Sequence, residues 1–480
     1  MEIKKLAGLE PASVFGYFEE ICGIPHGSGN TRQISDYLVN FAKEHDLKYY
    51  QDQADNVILF GEGTCGMEDH PAVILQGHMD MVCEQDADCT IDMNKDGLDV
   101  THDGQMVFAK GTTLGADNGI AVAMGLAVLA DKTIPHPPLE VVITSDEEIG
   151  LLGAAALDMS SCKGKKLINL DSEGEGIFTV SCAGGGCGTI SLPVERRTVY
   201  GPCIRLVVDG LQSGHSGAEI HKNRANANKI MGEFMSRIQN IMPLCLTSLV
   251  GGAKDNVIPY SCQATLVAMG IHLERINGIA EQLQAEVREQ YDEPTASVQA
   301  YDVDALGGNS LTTESTAKVI SLLCAAPNGV QAWSKDIAGL VQTSLNMGVI
   351  KLGDRFNATF SVRSSVNSEK AELFARLQEM ANMLGATYSQ SGEYPAWEYR
   401  KDSELRDTMV QVYTEQFGAE PQVIALHAGL ECGLFSEKVE GLDCVSIGPQ
   451  MHDIHTSHER LEIASVERTW KFLLAVLRAL

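Results

Sequence analysis

The alternation of apolar and polar positions changes character twice along the chain. From residue 55 to 181, short apolar runs alternate with segments of helical periodicity. Ala72 to Leu75, Leu139 to Ile143 and Lys166 to Leu170 read as buried strands, and Ile120 to Ala130 as a nearly all-apolar helix suited to burial against a sheet. Ahead of them, Leu6, Leu9, Val14, Phe15 and Phe18 fall at roughly helical spacing. Residues 31 to 45 predict a second helix, capped by Asn30 or Thr31. Past Gly184-Gly185-Gly186, the runs Ile204 to Val208, Ala264 to Met269 and Ala358 to Arg363 alternate, as strands with one wet face do. Amphipathic helices are predicted between them over Ala218 to Ile238, Ile276 to Gln290 and Ser368 to Leu384. After Gly392 the first pattern returns, with a helix over Leu405 to Phe417, a buried strand over Cys444 to Gly448 and a closing helix from about Ser465 to Leu480. The predicted class is α/β. A mostly parallel-sheet domain with helices on both faces, residues 1–184 and 393–480, is interrupted by an inserted α+β domain over 185–392.

The chain has 480 residues, 44% of them hydrophobic, enough for a sizeable core in each of two domains. Asp and Glu number 64 against 36 Lys and Arg, a formal net charge of -28. That excess argues against a nucleic-acid polyanion or an anionic membrane as partner, although solubility explains it equally well. Met1-Glu2-Ile3-Lys4-Lys5 has no apolar stretch behind it, so no signal peptide is expected, and no run of 18 apolar residues appears. The 13 cysteines are scattered without Cys-x-x-Cys pairs and read as reduced thiols, which points to the cytoplasm.

The chemistry gathers where apolar runs end. His78-Met79-Asp80, Asp146-Glu147-Glu148 and Asp171 each follow a predicted strand, and Asp117 lies between Gly115 and Gly119 just ahead of the apolar helix. Ligand sites in open α/β sheets lie beyond the carboxyl ends of the strands. Like charges collected there need a counter-ion. His78 and Asp80, two apart on an extended segment, point the same way, so one can bind a metal while the other fixes a ring. Asp117 taken alone is a helix N-cap or turn residue. Glu147 and Glu148 are more demanding, because adjacent carboxylates at the mouth of a core strand repel; if a cation takes one, the other stays free as a base. Among His452, His455 and His458, spacing does not choose. Mixed imidazole and carboxylate donors suit zinc, with manganese or cobalt as substitutes. Two imidazoles and three carboxylates exceed the needs of one catalytic zinc and suit two metals about 3.5–4 Å apart that share a carboxylate and a water.

Seven segments together carry a resemblance. They are Gly77-His78-Met79-Asp80-Met81-Val82, Gly115-Ala116-Asp117-Asn118-Gly119, Thr144-Ser145-Asp146-Glu147-Glu148, Asn169-Leu170-Asp171-Ser172-Glu173, Gly214-His215-Ser216-Gly217, His427-Ala428-Gly429-Leu430-Glu431 and His455-Thr456. Over essentially its whole length the chain resembles the co-catalytic zinc metallopeptidases that include carboxypeptidase G, peptidase T, peptidase V and aminoacylases. The resemblance implies two zinc ions per chain, His78 and Glu148 on one, Asp171 and His455 on the other, and Asp117 bridging them. Asp80 would orient His78, and Glu147 would be the general base that activates the shared water and later protonates the leaving amine. The family usually has a proline two residues after its last histidine ligand, where this chain has Ser457, so His458 stands as the alternative to His455. The inserted domain would be a lid. On it, His215 would stabilise the tetrahedral oxyanion and Asn256 and Arg363 would hold the substrate, a guanidinium fork suiting a C-terminal carboxylate. His427 and Glu431 would contact the dipeptide or its free amine.

The activity implied is hydrolysis of dipeptides with a free N-terminus, Xaa-His and β-alanyl-histidine types included; a monomer and a homodimer through the lid both stand open as the assembly. An amidohydrolase of the same fold that removes an acyl group from an amino acid is the nearest rival. A binding protein with a dead site is the rival from another class; the presence of every ligand and of Glu147 opposes it.

Overall fold

The computed structural model describes residues 5–268, 273–304 and 307–480. Met1 to Lys4, and Met269 at the end of one predicted strand, lie outside them. The chain divides into two compact units: residues 1–182, 399–425 and 430–480 form the first, and 183–398 with 426–429 the second.

The first unit is built on an eight-stranded mixed sheet, and its α/β class is as predicted. Val73–His78 lies parallel between Leu139–Thr144 and Lys166–Asn169, and Asp443–Ser446 continues the parallel set. Val57–Gly61 and Lys48–Gln51 extend it antiparallel on one side. Both faces of Val73–His78 are buried, which is why its sequence is a continuous apolar run rather than an alternating one. The helix Ala116–Ala130 has almost no exposed face because it is packed between this strand and the helix Ala12–Cys22. Gly77 permits the approach: a Cβ there would sit 2.3 Å from Asn118 Oδ1 and 2.8 Å from the Ala121 Cβ. At the other end of the chain, Ile463–Ala479 brings Phe472 onto Phe178 and Tyr413, with ring centroids 5.4 and 5.3 Å away. Such aromatic pairs add about 0.5–1.5 kcal/mol beyond their buried area.

A second, four-stranded sheet was not foreseen. Val100–His102 pairs with Met106–Ala109, which pairs with Arg460–Glu462, and that strand pairs in turn with Met451–His452. Strands of two to four residues carry no readable alternation, yet this sheet makes the histidine-rich segment a hairpin held at both ends.

The second unit is a nine-stranded sheet whose pairings are antiparallel. Cys203–Asp209 alternates buried and exposed positions, and the helices Ala227–Gln239, Leu273–Tyr291, Thr313–Ala325 and Asn367–Met383 belong to the same unit. Its core holds Leu206, Phe234, Phe356 and Phe360, all fully buried. The helix predicted from Ala218 starts only at Ala227. Asn226 ends the preceding loop by accepting the N–H groups of Asn228 and Lys229, leaving residues 218–226 to a loop with one short 3-10 turn. Residues 426–429 return to this unit because the His427 ring bonds Ser344, on the strand Val341–Leu352.

None of the 13 cysteines forms a disulfide among the described residues. No helix among the described residues is long and apolar enough to cross a membrane.

Candidate metal centre and substrate-binding residues

In the first unit, the side chains singled out at strand ends converge at one edge of the sheet. His78 closes its strand and is buried. Its Nδ1 faces Asp80, 3.0 Å from the main-chain oxygen and 3.4 Å from Oδ1, and its Nε2 lies 3.2 Å from Asp117 Oδ1 and 3.4 Å from Asp171 Oδ1. The hairpin brings His455 Nε2 to 3.2 Å from Asp117 Oδ2 and 2.9 Å from Glu148 Oε1. Asp117 thus turns one carboxylate oxygen to each histidine. His78, Asp117 and Glu148 each offer a donor atom within 4.8 Å of the others.

The resemblance implied His78 with Glu148 and Asp171 with His455. The contacts place Asp171 3.4 Å from His78 and Glu148 2.9 Å from His455. The reason is strand order: Val73–His78 and Lys166–Asn169 are adjacent and parallel, so the residues at and just past their ends are neighbours. Of the three histidines left open, His455 is the one brought to the carboxylates. His452 sits on a short strand with its side chain exposed, and the His458 N–H is bonded to Thr456 Oγ1.

Asp117 owes its aim to a break in the helix. Its φ of -82° and ψ of 99° are non-helical, and its carboxylate is turned to His78 and His455. Asn118 locks the turn, donating to the Leu170 oxygen at 2.8 Å and accepting the His78 N–H at 3.2 Å. Asp80 does the same for the glutamate pair: Oδ1 accepts the Glu147 N–H at 3.0 Å, and Oδ2 accepts the Glu148 N–H at 3.4 Å and the Ser28 hydroxyl at 2.8 Å.

The electrostatics are those of a site short of positive charge. Burial pushes the Asp171 carboxyl up to about 6, helped by Asp117 and Glu148, and pushes Glu147 well above the usual range, helped by Asp171, Glu431 and Glu148. Burial works against the His78 imidazolium, yet Asp171, Asp117 and Asp80 raise it well above normal. Asp117 and Glu148 raise His455 to about 10. Three carboxylates with two imidazoles, all oxygen and nitrogen donors, fit a pair of divalent cations that would supply the missing charge.

Glu431 lies nearby in the same unit, fully buried. Its Oε2 accepts from Gln76 at 2.5 Å and Thr144 at 2.8 Å, while Oε1 has no hydrogen-bond partner among the described residues. Burial, with Asp171, raises its pKa to about 8.

The second unit gathers its own set. The His215 Nδ1 accepts the N–H groups of Gly217 at 3.2 Å and Ala218 at 3.0 Å, which assigns the ring proton to Nε2. Burial and Arg363 lower its pKa, which favours the neutral ring with its proton on Nε2. Gly217 stands at the centre of the group. A Cβ there would meet the His427 oxygen at 2.6 Å, His215 Cε1 at 3.0 Å and Arg363 Nε at 3.1 Å. Arg363 donates to Tyr394 at 2.9 Å, and its buried Nε has no hydrogen-bond partner among the described residues. Asn256 joins through its main chain, its oxygen accepting the Ser216 N–H at 2.8 Å; its side chain is exposed. Asn118, Gln76 and Ser28 had no role assigned from spacing. Only Asn118 lies inside a quoted motif, and its adjacency to Asp117 was the signal available.

The sequence profile of Peptidase family M20/M25/M40 matches residues 74–479. The chain is 35% identical over 481 residues, 99% of each chain, to the cytosol non-specific dipeptidase of Escherichia coli (strain K12). It is similar in structure to the aminoacylhistidine dipeptidase of Vibrio alginolyticus, with a TM-score of 0.92 and 35% identity over 99% of this chain and 98% of that one. Aminopeptidase PepT of Bacillus cereus shares the fold at 15% identity, with a TM-score of 0.56 over 98% and 99% of the two chains. Matched by the profile over most of its length and by these relatives from end to end, the chain belongs to peptidase family M20/M25/M40 and is a peptide hydrolase.

Proposed function

We propose that the protein is a two-metal dipeptidase whose substrates carry a free N-terminus, Xaa-His and β-alanyl-histidine types among them. The observation that carries the reading is Asp117, with one carboxylate oxygen toward His78 and the other toward His455. The names of the Escherichia coli and Vibrio relatives, each 35% identical to this chain, support the substrate class and, for the first, a cytosolic location. Asp117 would be shared between two zinc ions, with His78 and Asp171 on one and Glu148 and His455 on the other. Ions held there would acidify a water and polarise the scissile carbonyl.

Glu147 belongs to neither ligand pair. Its carboxylate would take the proton of the attacking water and return it to the leaving amine, a task suited by a pKa raised through burial. Asp80 keeps it in place through the main chain and orients the His78 ring. The second unit would serve as a lid that supplies its polar groups to the substrate. The His215 Nε2–H would donate to the oxyanion of the tetrahedral intermediate. Arg363 would receive the C-terminal carboxylate, with Asn256 beside it. His427 and Glu431 would contact the dipeptide, Glu431 toward its amine.

The test is a metal analysis joined to a substrate panel. The purified chain should hold two metal ions, lose activity on chelation and regain it with zinc, cobalt or manganese. It should cleave free dipeptides and leave their N-acetylated forms intact. Preferential cleavage of the acetylated forms would instead make it an acyl-amino-acid amidohydrolase, and activity that survives complete metal removal would end the two-metal reading.

A further inference from the structure

We infer that Glu459 is a positioning residue of the metal centre: it ties the loop bearing His455 to the loop bearing Asp117, so that the two ligands meet. The inference rests on the reading of those two residues as metal ligands. Glu459 is 3% exposed, and its carboxylate is engaged by main chain alone. Oε2 accepts the N–H groups of Leu114 at 2.8 Å and Gly115 at 3.0 Å, and Oε1 those of Ala116 at 2.8 Å and Asp117 at 3.3 Å. These four donors lead into the helix Ala116–Ala130, at the end where main-chain N–H groups lack carbonyl partners and the helix dipole favours an anion.

The carboxylate comes from the hairpin that carries His455. The pairs Met451↔Leu461 and His452↔Arg460 close that hairpin, and the Glu459 N–H returns to the Thr456 oxygen at 3.2 Å. His455 itself has a φ of 60°, a left-handed conformation that a non-glycine residue holds only when its surroundings impose it. Neither loop can shift by a bond length without leaving buried N–H groups unpaired. One of those N–H groups is that of Asp117, whose carboxylate faces both histidines. An ordinary helix cap would affect stability alone. A clamp between two ligand loops must also govern how the ions are held.

The experiment uses the full chain with the variants Glu459→Gln and Glu459→Ala, loaded with cobalt. Gln has nearly the same volume but meets four N–H donors with one acceptor oxygen and an amide NH2. The expected result is wild-type circular dichroism of the metal-free Gln variant, an altered visible spectrum of its bound cobalt, and uptake at least about tenfold weaker in competition with a chelator, the scale on which groups behind metal ligands act. Two cobalt ions bound by both variants with wild-type spectra and competition curves would overturn the inference, even if the variants melt earlier. A wild-type chain that takes up no cobalt would overturn the metal reading itself and this inference with it. Should neither variant fold, hydrogen exchange of the metal-free wild type decides. Amides 114–117 protected like the helix interior support the clamp, and exchange at open-loop rates overturns it.

Discussion

The Asp80 carboxylate and the Glu147 main chain are joined by a hydrogen bond of 3.0 Å, while the same carboxylate oxygen lies 3.4 Å from Nδ1 of His78. One buried side chain therefore sets both an imidazole and the turn that presents two glutamates. Asp146, which enters that turn, has a φ of 51°, so the turn is held rather than relaxed. Replacing Asp80 with Ala removes the acceptor for the Glu147 and Glu148 amides and the partner of the ring. A fall of about 10- to 100-fold in kcat/KM is expected, with reduced metal content. Steady-state kinetics beside metal analysis checks this, and wild-type values for both would deny Asp80 its role.

Glu147→Gln separates chemistry from metal binding. If Glu147 is the base and not a ligand, the variant should keep two metal ions and a nearly unchanged KM while kcat falls by about 10²–10⁴. Loss of a metal ion in this variant would place Glu147 among the ligands instead.

Much of this site was legible because strand ends define one edge of a sheet. His78, Glu147, Glu148 and Asp171 could be collected from apolar runs alone, and with them a candidate cation site. The arrangement across that edge was not legible. That His78 faces Asp171, and Glu148 faces His455, depends on the adjacency of Val73–His78 and Lys166–Asn169, which lie almost a hundred residues apart in sequence. The hairpin around His455 was hidden for another reason: its strands are two and three residues long and are stabilised by distant partners at Met106–Ala109. The late start of the helix at Ala227 follows from a local competition in which Asn226 caps the helix and an amphipathic pattern upstream yields to the loop that holds His215.

The second unit should lose stability in acid through His427. Burial, then Arg363 and His215, lower its pKa to about 3, against about 6.5 for an unfolded histidine. Below pH 6.5 the unfolded chain binds a proton that the folded chain refuses until about pH 3. Stability therefore falls as pH drops across that window, by at most about 1.4 kcal/mol per pH unit for this group. His427→Gln retains a polar partner for Ser344 but does not titrate. Urea midpoints measured between pH 7 and 4 should show the gap between variant and wild type closing or reversing on acidification. A gap that stays constant with pH would mean that His427 takes up its proton in the folded state as readily as in the unfolded one.

Gly217→Ala isolates the second unit's contribution from the metals. The added methyl carbon would lie 2.6 Å from a main-chain oxygen, closer than real Cβ atoms approach, so the backbone around residues 215–218 has to move. That movement breaks the pair of N–H bonds fixing the His215 tautomer and displaces the ring from Arg363. The neighbours that would be displaced are the oxyanion donor and the carboxylate fork of the proposed mechanism. Metal content should thus stay at two ions, while kcat and substrate affinity both fall, the loss in kcat/KM reaching about 10²-fold or more from misplacement of an oxyanion donor. Kinetics on a free dipeptide and on its C-terminal amide, beside metal analysis, separate the effects. Loss of the carboxylate fork should fall on the free dipeptide alone, whereas loss of the His215 donor should slow both substrates. Wild-type kinetics in a folded Gly217→Ala protein would remove His215 from the reaction.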